Sequence, residues 1–173
     1  MNNKPKNKKS GYSLVEAVVY VTALAFISVV AINSIMLFQN LFLEMKKNRN
    51  VGNAAEIAMG RMMREIKNAT DISGGGSAFD SNPGRLTVTS LDNLGTAVSI
   101  EFYVENNILK IKENAVAKGS LMPENTLLNS LIFRQISGVR SKGVKIEMTL
   151  KDSRGKSPLI KNFYGTAVLR GSY

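Results

Sequence analysis

Hydrophobic and polar positions divide the chain into three regimes. From Leu14 to Leu43 the run is almost wholly apolar, with no Pro or Gly and no charged residue between Glu16 and Glu44. That exceeds the roughly 20 apolar residues a bilayer crossing needs. In lipid a helix is the form in which such a segment satisfies its own backbone. Further on, Val51, Ala55, Ala58, Met62, Ile66 and Ala69 recur at steps of four, three, four, four and three, while Glu56, Arg64 and Lys67 fall off that face. This is an amphipathic helix with one apolar side. Gly52 and Gly60 weaken it by about 1 kcal/mol each relative to Ala. The two patterns join into one predicted helix from about Tyr12 to Thr70, roughly 85–90 Å long at 1.5 Å per residue.

Asp71–Gly84 ends the helix with Gly74-Gly75-Gly76 and Asn82-Pro83-Gly84 and reads as a flexible connector. The three glycines are not followed by the Gly-Lys-Ser/Thr that a phosphate-binding loop requires. After Gly84 the period changes to two. Residues 85–91 place Leu86 and Val88 on one face, residues 97–104 place Val98, Ile100 and Phe102 together, and residues 108–112 pair Leu109 with Ile111. Asp92–Gly95 and Asn106-Asn107 supply the turns of an antiparallel meander. Residues 114–130, with Pro123 and Gly119-Ser120, read as an irregular loop. Strands follow at 131–136, at 144–152 and at 159–170, separated by a basic turn (138–143) and a hairpin loop (153–156). The clearest is 144–152, with Val144, Ile146, Met148 and Leu150 on one side and Lys145, Glu147, Thr149 and Lys151 on the other. Gly165 reads as a bulge in the last strand. A helix with one apolar face and a one-sided sheet bury each other, so the expected class is α+β: the helix's second half packed on an antiparallel sheet.

Charge refines the first regime. The chain carries a net charge of +10. Lys4, Lys6, Lys8 and Lys9 precede the apolar run, and bases beside a membrane helix favour the cytoplasmic side. Lys46, Lys47 and Arg49 on the far flank, offset by Glu44, make that asymmetry moderate. A secretory signal fits less well: the apolar run is long, and no small-x-small site follows it before Glu44. Glu16 is the expensive residue, since a carboxylate at mid-bilayer costs roughly 2.5–3.5 kcal/mol or more.

Composition removes several chemistries. Without Cys or His there are no disulfides, no zinc sites built on those ligands, and no His-based triad or general base. No catalytic residue, cofactor or metal site is expected. Asn68-Ala69-Thr70 fits the N-glycosylation triplet but overlaps the helix face. Arg134, Arg140, Lys142, Lys145, Lys151, Arg154, Lys156 and Lys161, with Tyr103 or Tyr164, are what a DNA contact would use. Alternation already explains several of them as the wet face of a strand.

Gly11-Tyr12-Ser13-Leu14-Val15-Glu16, behind a short basic leader and before an apolar helix, resembles the processing site of type IV prepilins and the related pseudopilins. Tyr12 stands where Phe is more usual and Ser13 where Thr is. The resemblance is close over the first third of the chain and architectural beyond it. It implies a pilin-like fold. A prepilin peptidase would cut between Gly11 and Tyr12 and methylate the new amine of Tyr12. Glu16, fifth in the mature chain, would pair with a neighbouring subunit's N-terminal amine during assembly. The physics of the residue agrees, because a carboxylate in apolar surroundings calls for a cation. The Pro often found in the family's membrane segment is replaced here by the region of Asn33-Ser34, and the cysteine pair of many major pilins is absent. The layout is closer to a minor pilin or pseudopilin.

The resulting expectation has four parts: a cleaved leader (1–11), a membrane and filament-core helix (12–43), its amphipathic continuation (44–70) and a sheet domain (71–173). The function it implies is a structural subunit, not an enzyme, of a type IV pilus or type II secretion-like filament. Such a subunit starts single-pass and N-in in the cytoplasmic membrane and ends in an extracytoplasmic filament. Its partners would be prepilin peptidase, other subunits, membrane lipid, and an inner-membrane platform with its ATPase. The alternatives are an anchored extracytoplasmic binding domain that never polymerises and a DNA-uptake subunit.

Overall fold

The computed structural model of the chain describes residues 13–92, 94–123, 125–138, 141–152, 154 and 158–170. It forms two compact units, Met1–Glu44 and Met45–Tyr173. One helix, α1 (Leu14–Asn68), supplies the described part of the first and opens the second. The class is α+β, with a long apolar N-terminal helix followed by antiparallel strands. In the second unit the expected helix face is the buried one: Val51, Ala55, Ala58, Met62, Ile66 and Ala69 are all in the core, joined by Ala54 and Met59. Glu56, Arg64 and Lys67 are exposed.

The strands differ from the expected arrangement in being two sheets. The first, in order of both sequence and space, contains β1 (Asp71–Ile72), β2 (Leu86–Leu91), β3 (Ala97–Glu105), β4 (Ile108–Glu113) and β5 (Val116–Ser120). The second contains β6 (Leu127–Ser137), β7 (Lys142–Asp152) and β8 (Leu159–Val168), and every pairing is antiparallel. Their inward residues share a single core with α1: Leu86, Val88, Ile100, Phe102, Leu109 and Ile111 from the first sheet, Leu131, Phe133, Val144, Ile146, Met148 and Leu150 from the second. Asn106 (φ 53°) and Asn107 (φ 60°) make the tight β3–β4 turn in the left-handed conformation that asparagine tolerates.

Three local expectations are corrected. The supposed irregular loop at 114–130 contains β5 and the start of β6. Gly165 is no bulge, because β7 and β8 pair without interruption through Ile146 and Gly165. The bulge in the second sheet lies at Asn129 instead, where the β6–β7 register shifts between Leu128 and Ser130. The glycine-rich connector is not free either. The Thr87 hydroxyl donates to the Gly76 carbonyl at 2.9 Å, and the Ser77 hydroxyl to the Ser73 carbonyl at 2.6 Å. Beyond these, Asp80 N donates to Phe133 O at 2.9 Å, Gly84 N to Leu131 O at 2.8 Å, and Leu131 N to Asn82 Oδ1 at 3.1 Å. The segment thus binds along β6 and occupies a sheet edge that would otherwise be open. A Cβ on Gly84 would lie 3.0 Å from Leu131 O, which is why the approach takes glycine.

Candidate functional site

In the first unit, the helical side chains are exposed to their surroundings throughout, including Val15, Val19, Leu24, Phe26, Ile32, Phe38 and Phe42. The most apolar 18-residue window has a mean hydropathy of 2.3 and none of it is buried within the chain. A soluble core helix is apolar and buried; this one is apolar and uncovered, as a single-pass membrane anchor requires. Its hydroxyls fit the same environment. Thr22, Ser28 and Ser34 each donate to the carbonyl four residues earlier, on Val18, Leu24 and Val30, at 2.8 Å. They satisfy themselves along the helix and present no open hydrogen-bonding demand to lipid.

Glu16 lies in the first turn of α1, where a carboxylate meets the positive end of the helix dipole. It is exposed, and the Tyr20 hydroxyl one turn on donates to Glu16 Oε1 at 3.3 Å. Gly11 and Tyr12, the expected cleavage and methylation positions, lie outside the described residues, so their relation to Glu16 rests on the sequence. Among the described residues no cluster of three or more His, Cys, Asp or Glu is placed to hold a metal ion.

Of the basic residues singled out in the C-terminal half, Arg134, Lys142, Lys145 and Arg154 are engaged, whereas Lys151 and Lys161 make no ion pair among the described residues. Arg134 binds Glu147 through Nε at 3.0 Å and Asp80 through Nη1 at 2.8 Å. Lys145 reaches Glu147 at 2.9 Å, and Lys142 reaches Asp71 at 2.9 Å. These contacts hold the Glu147 and Asp71 carboxyls below the usual carboxylate range, hydrogen bonds from Arg134 and Lys142 being the largest respective causes. Arg140 and Lys156 lie outside the described residues. The carboxylates beside Arg134, Lys142 and Lys145 offset the positive field those cations would offer to phosphates. Asn68 is the last residue of α1 and exposed, while the Thr70 hydroxyl of the same triplet donates to Thr89 O at 3.1 Å.

The most consequential charged cluster was not anticipated. Asp152, at the end of β7, is 0 % exposed and is gripped by Arg154, whose Nε lies 3.0 and 3.1 Å from its two carboxylate oxygens while Nη2 bonds one of them. Arg154 N also donates to Asp152 Oδ1 at 3.0 Å. With its amide oxygen turned toward Arg154, Asn50 accepts from Nη1 at 3.2 Å. Lys47, 7 % exposed, adds its positive field. The Arg154 hydrogen bond, foremost, holds the Asp152 carboxyl below the usual range despite burial, which acts the other way. The signal for this cluster is present in the sequence. Asp152 continues the inward series Val144, Ile146, Met148, Leu150, and Lys47 precedes Val51 by four on the buried helix face. Two opposite charges, each on the apolar side of its own element, need one another.

Comparison of the chain with protein-family models, with curated proteins and with solved structures gave no match.

Proposed function

We propose that the chain is a structural subunit of the type IV pilin and pseudopilin kind, with a pilin-like fold, closest to a minor subunit. It is inserted N-in, cut after Gly11, methylated at Tyr12 and polymerised through the apolar half of α1. The observation that carries this reading is the conjunction at the N-terminus: four leader lysines, the Gly11–Glu16 motif, and an uncovered apolar helix with one carboxylate in its first turn. Glu16 makes no ion pair among the described residues; its contact is the Tyr20 hydroxyl. A neighbouring subunit's N-terminal amine is the cation the proposal supplies, and desolvation between packed helices strengthens that pair. The exposed side chains of α1 offer the surface through which such helices bundle, and membrane lipid covers them before assembly. Prepilin peptidase, an inner-membrane platform and its ATPase are the partners this reading requires. The role is architectural and assigns no catalysis to the chain.

The same uncovered helix equally suits an uncleaved anchor bearing an extracytoplasmic domain that never polymerises. Mass spectrometry of the membrane-extracted protein separates the two. A methylated Tyr12 terminus is expected; an intact Met1 or Asn2 terminus overturns the filament reading. Gly11→Ala is expected to leave the full-length precursor, and Glu16→Ala to give processed protein that does not enter filaments. Normal processing of the first variant or normal incorporation of the second counts against the proposal. The paired state of Arg134, Lys142 and Lys145 weighs against a DNA-uptake role.

A further inference from the structure

A cleft opens where the two sheets meet. The β3–β4 turn approaches β6, and Leu128 N donates to Asn107 O at 2.8 Å while Asn107 Nδ2 donates to Leu128 O at 3.1 Å. Beside this bridge is a cleft of about 350 Å³. Its polar wall is formed by Asn82, Asn106, Asn107, Asn129 and Ser130, and its apolar part by Pro83, Val104 and Leu128. No charged residue lines it among the described residues.

The polar groups fall into two sets. Asn82 and Asn107 are spent on the fold, binding Leu131 N and Leu128 O. The side chains of Asn106, Asn129 and Ser130 make no hydrogen bond among the described residues. Asn129 is the residue left unmatched by the bulge in β6, and bulges redirect side chains and gather near functional sites. Asn106 takes a left-handed backbone (φ 53°) at the corner of the turn. Two solvent-exposed amides and a half-buried hydroxyl, without protein partners among the described residues, therefore line one small cleft, each able both to donate and to accept.

We infer that this cleft binds a neutral saccharide. Sugar hydroxyls donate and accept at once, as do the free groups here, and an uncharged wall favours an uncharged ligand over a phosphate or carboxylate. Pro83, exposed, and Val104, half-buried, provide the apolar contact that a sugar ring's C–H face or an acetamido methyl requires, with Leu128 buried in the core behind them. The size falls in the range of small-ligand pockets and suits one or two sugar rings. An extended peptide fits less well, because its main chain needs an open strand edge and β6 is already bonded there by Asp80, Asn82 and Gly84. The inference rests on the sheet unit alone and stands or falls independently of filament assembly.

The test uses the full chain in lauryl dimethylamine oxide micelles, a detergent without a sugar headgroup, and follows backbone amide resonances. Diacetylchitobiose, maltose and an uncharged tripeptide are titrated separately to about 10 mM, which spans millimolar dissociation constants. Saturable shifts confined to residues 104–107 and 128–130 are expected with at least one sugar, and the two sugars distinguish an acetamido from a hydroxyl requirement. Asn106→Gly, which keeps the turn's backbone freedom, combined with Asn129→Ala should weaken binding at least about tenfold, two hydrogen bonds being lost. Ser130→Ala, the gentler variant should the double one not fold, should weaken it roughly threefold. No saturable sugar shift at these residues, a shift with the tripeptide alone, or undiminished binding by Ser130→Ala and any folded double variant overturns the inference.

Discussion

Gly165 of β8 lies against Met59 of α1 so closely that a Cβ on the glycine would stand 2.5 Å from Met59 Cε, with Met63 Sδ at 3.3 Å. The absence of a side chain there is what lets two methionines fill the space between helix and strand. Gly143 of β7 is also close to a neighbour, but of another kind: its Cβ would meet the Ala167 carbonyl oxygen at 2.8 Å. A methionine end rotates aside, whereas a carbonyl in a strand ladder does not. Gly143→Ala should therefore cost about 1–3 kcal/mol, the usual range for overpacking, and Gly165→Ala distinctly less. Urea denaturation of the sheet unit measures both; equal losses, or a larger loss at Gly165, would show that the helix–strand approach is the stiffer contact.

Gly165 also shows how far the sequence could be read. A glycine in a strand signals a bulge or a close approach, and only the partner, Met59, a hundred residues away in rough terms, decides which. Periodicity revealed the buried faces of the second half of α1 and of β2, β3, β4 and β7, because side-chain direction is a local property, but assigned none to β6 or β8. Turn signals gave the β2–β3–β4 meander and the β7–β8 hairpin, but nothing local told that β5 and β6 do not pair, so the division into two sheets was hidden. Residues 74–84 looked like a connector for the same reason, since the β6 partners of Asp80, Asn82 and Gly84 are remote in sequence. Asp152 and Lys47 were legible and passed over, the alternating pattern having been followed only as far as its apolar members. Glu16 was visible at once, as its cost in an apolar run needs no tertiary information.

Burial decides what two apolar residues of α1 contribute, although they are only one and a half turns apart. Met62 is fully buried, and Ile57 is 59 % exposed. Met62→Ala should destabilise the sheet unit by about 2–5 kcal/mol through lost transfer energy and a residual cavity. Ile57→Ala should stay within about 0.5 kcal/mol. Similar losses at the two positions, by thermal or urea denaturation, would contradict the helix face assigned to the core.

Asp152 should make the sheet unit acid-sensitive. Its ordinary value is 3.8, and in the folded chain the Arg154 hydrogen bond lowers it. A carboxyl depressed by folding contributes stability above its unfolded value, and that contribution is lost as pH falls through the folded one. Asp152→Asn should cost about 1–3 kcal/mol at neutral pH. The gap from the parent should then narrow as pH drops below 3.8. Asp71, Glu105 and Glu147 shift the same way, but on exposed pairs that contribute little and are common to both proteins. Unfolding midpoints of the two proteins across that pH window measure the gap, and a constant one would show that the Asp152 charge is not what stabilises the fold.

Two truncations locate the start of the sheet unit. Met45 is exposed, whereas Lys47 and Val51 are buried and Asn50 meets Arg154. A fragment of residues 45–173 keeps every one of these contacts and discards the apolar run, so it should be soluble without detergent and unfold cooperatively. A fragment of residues 52–173 loses Val51, whose burial is worth about 1.5–3 kcal/mol. It also deprives Asp152 and Arg154 of the Lys47 charge and the Asn50 acceptor. It should be weaker by about 3 kcal/mol or more, the hydrogen bond to a charged group adding to the lost burial. Equal urea midpoints for the two fragments would mean that residues 45–51 belong energetically with the apolar helix. A shorter fragment that fails to fold while the longer one folds would place the boundary at the Lys47 turn of α1, where the buried face begins.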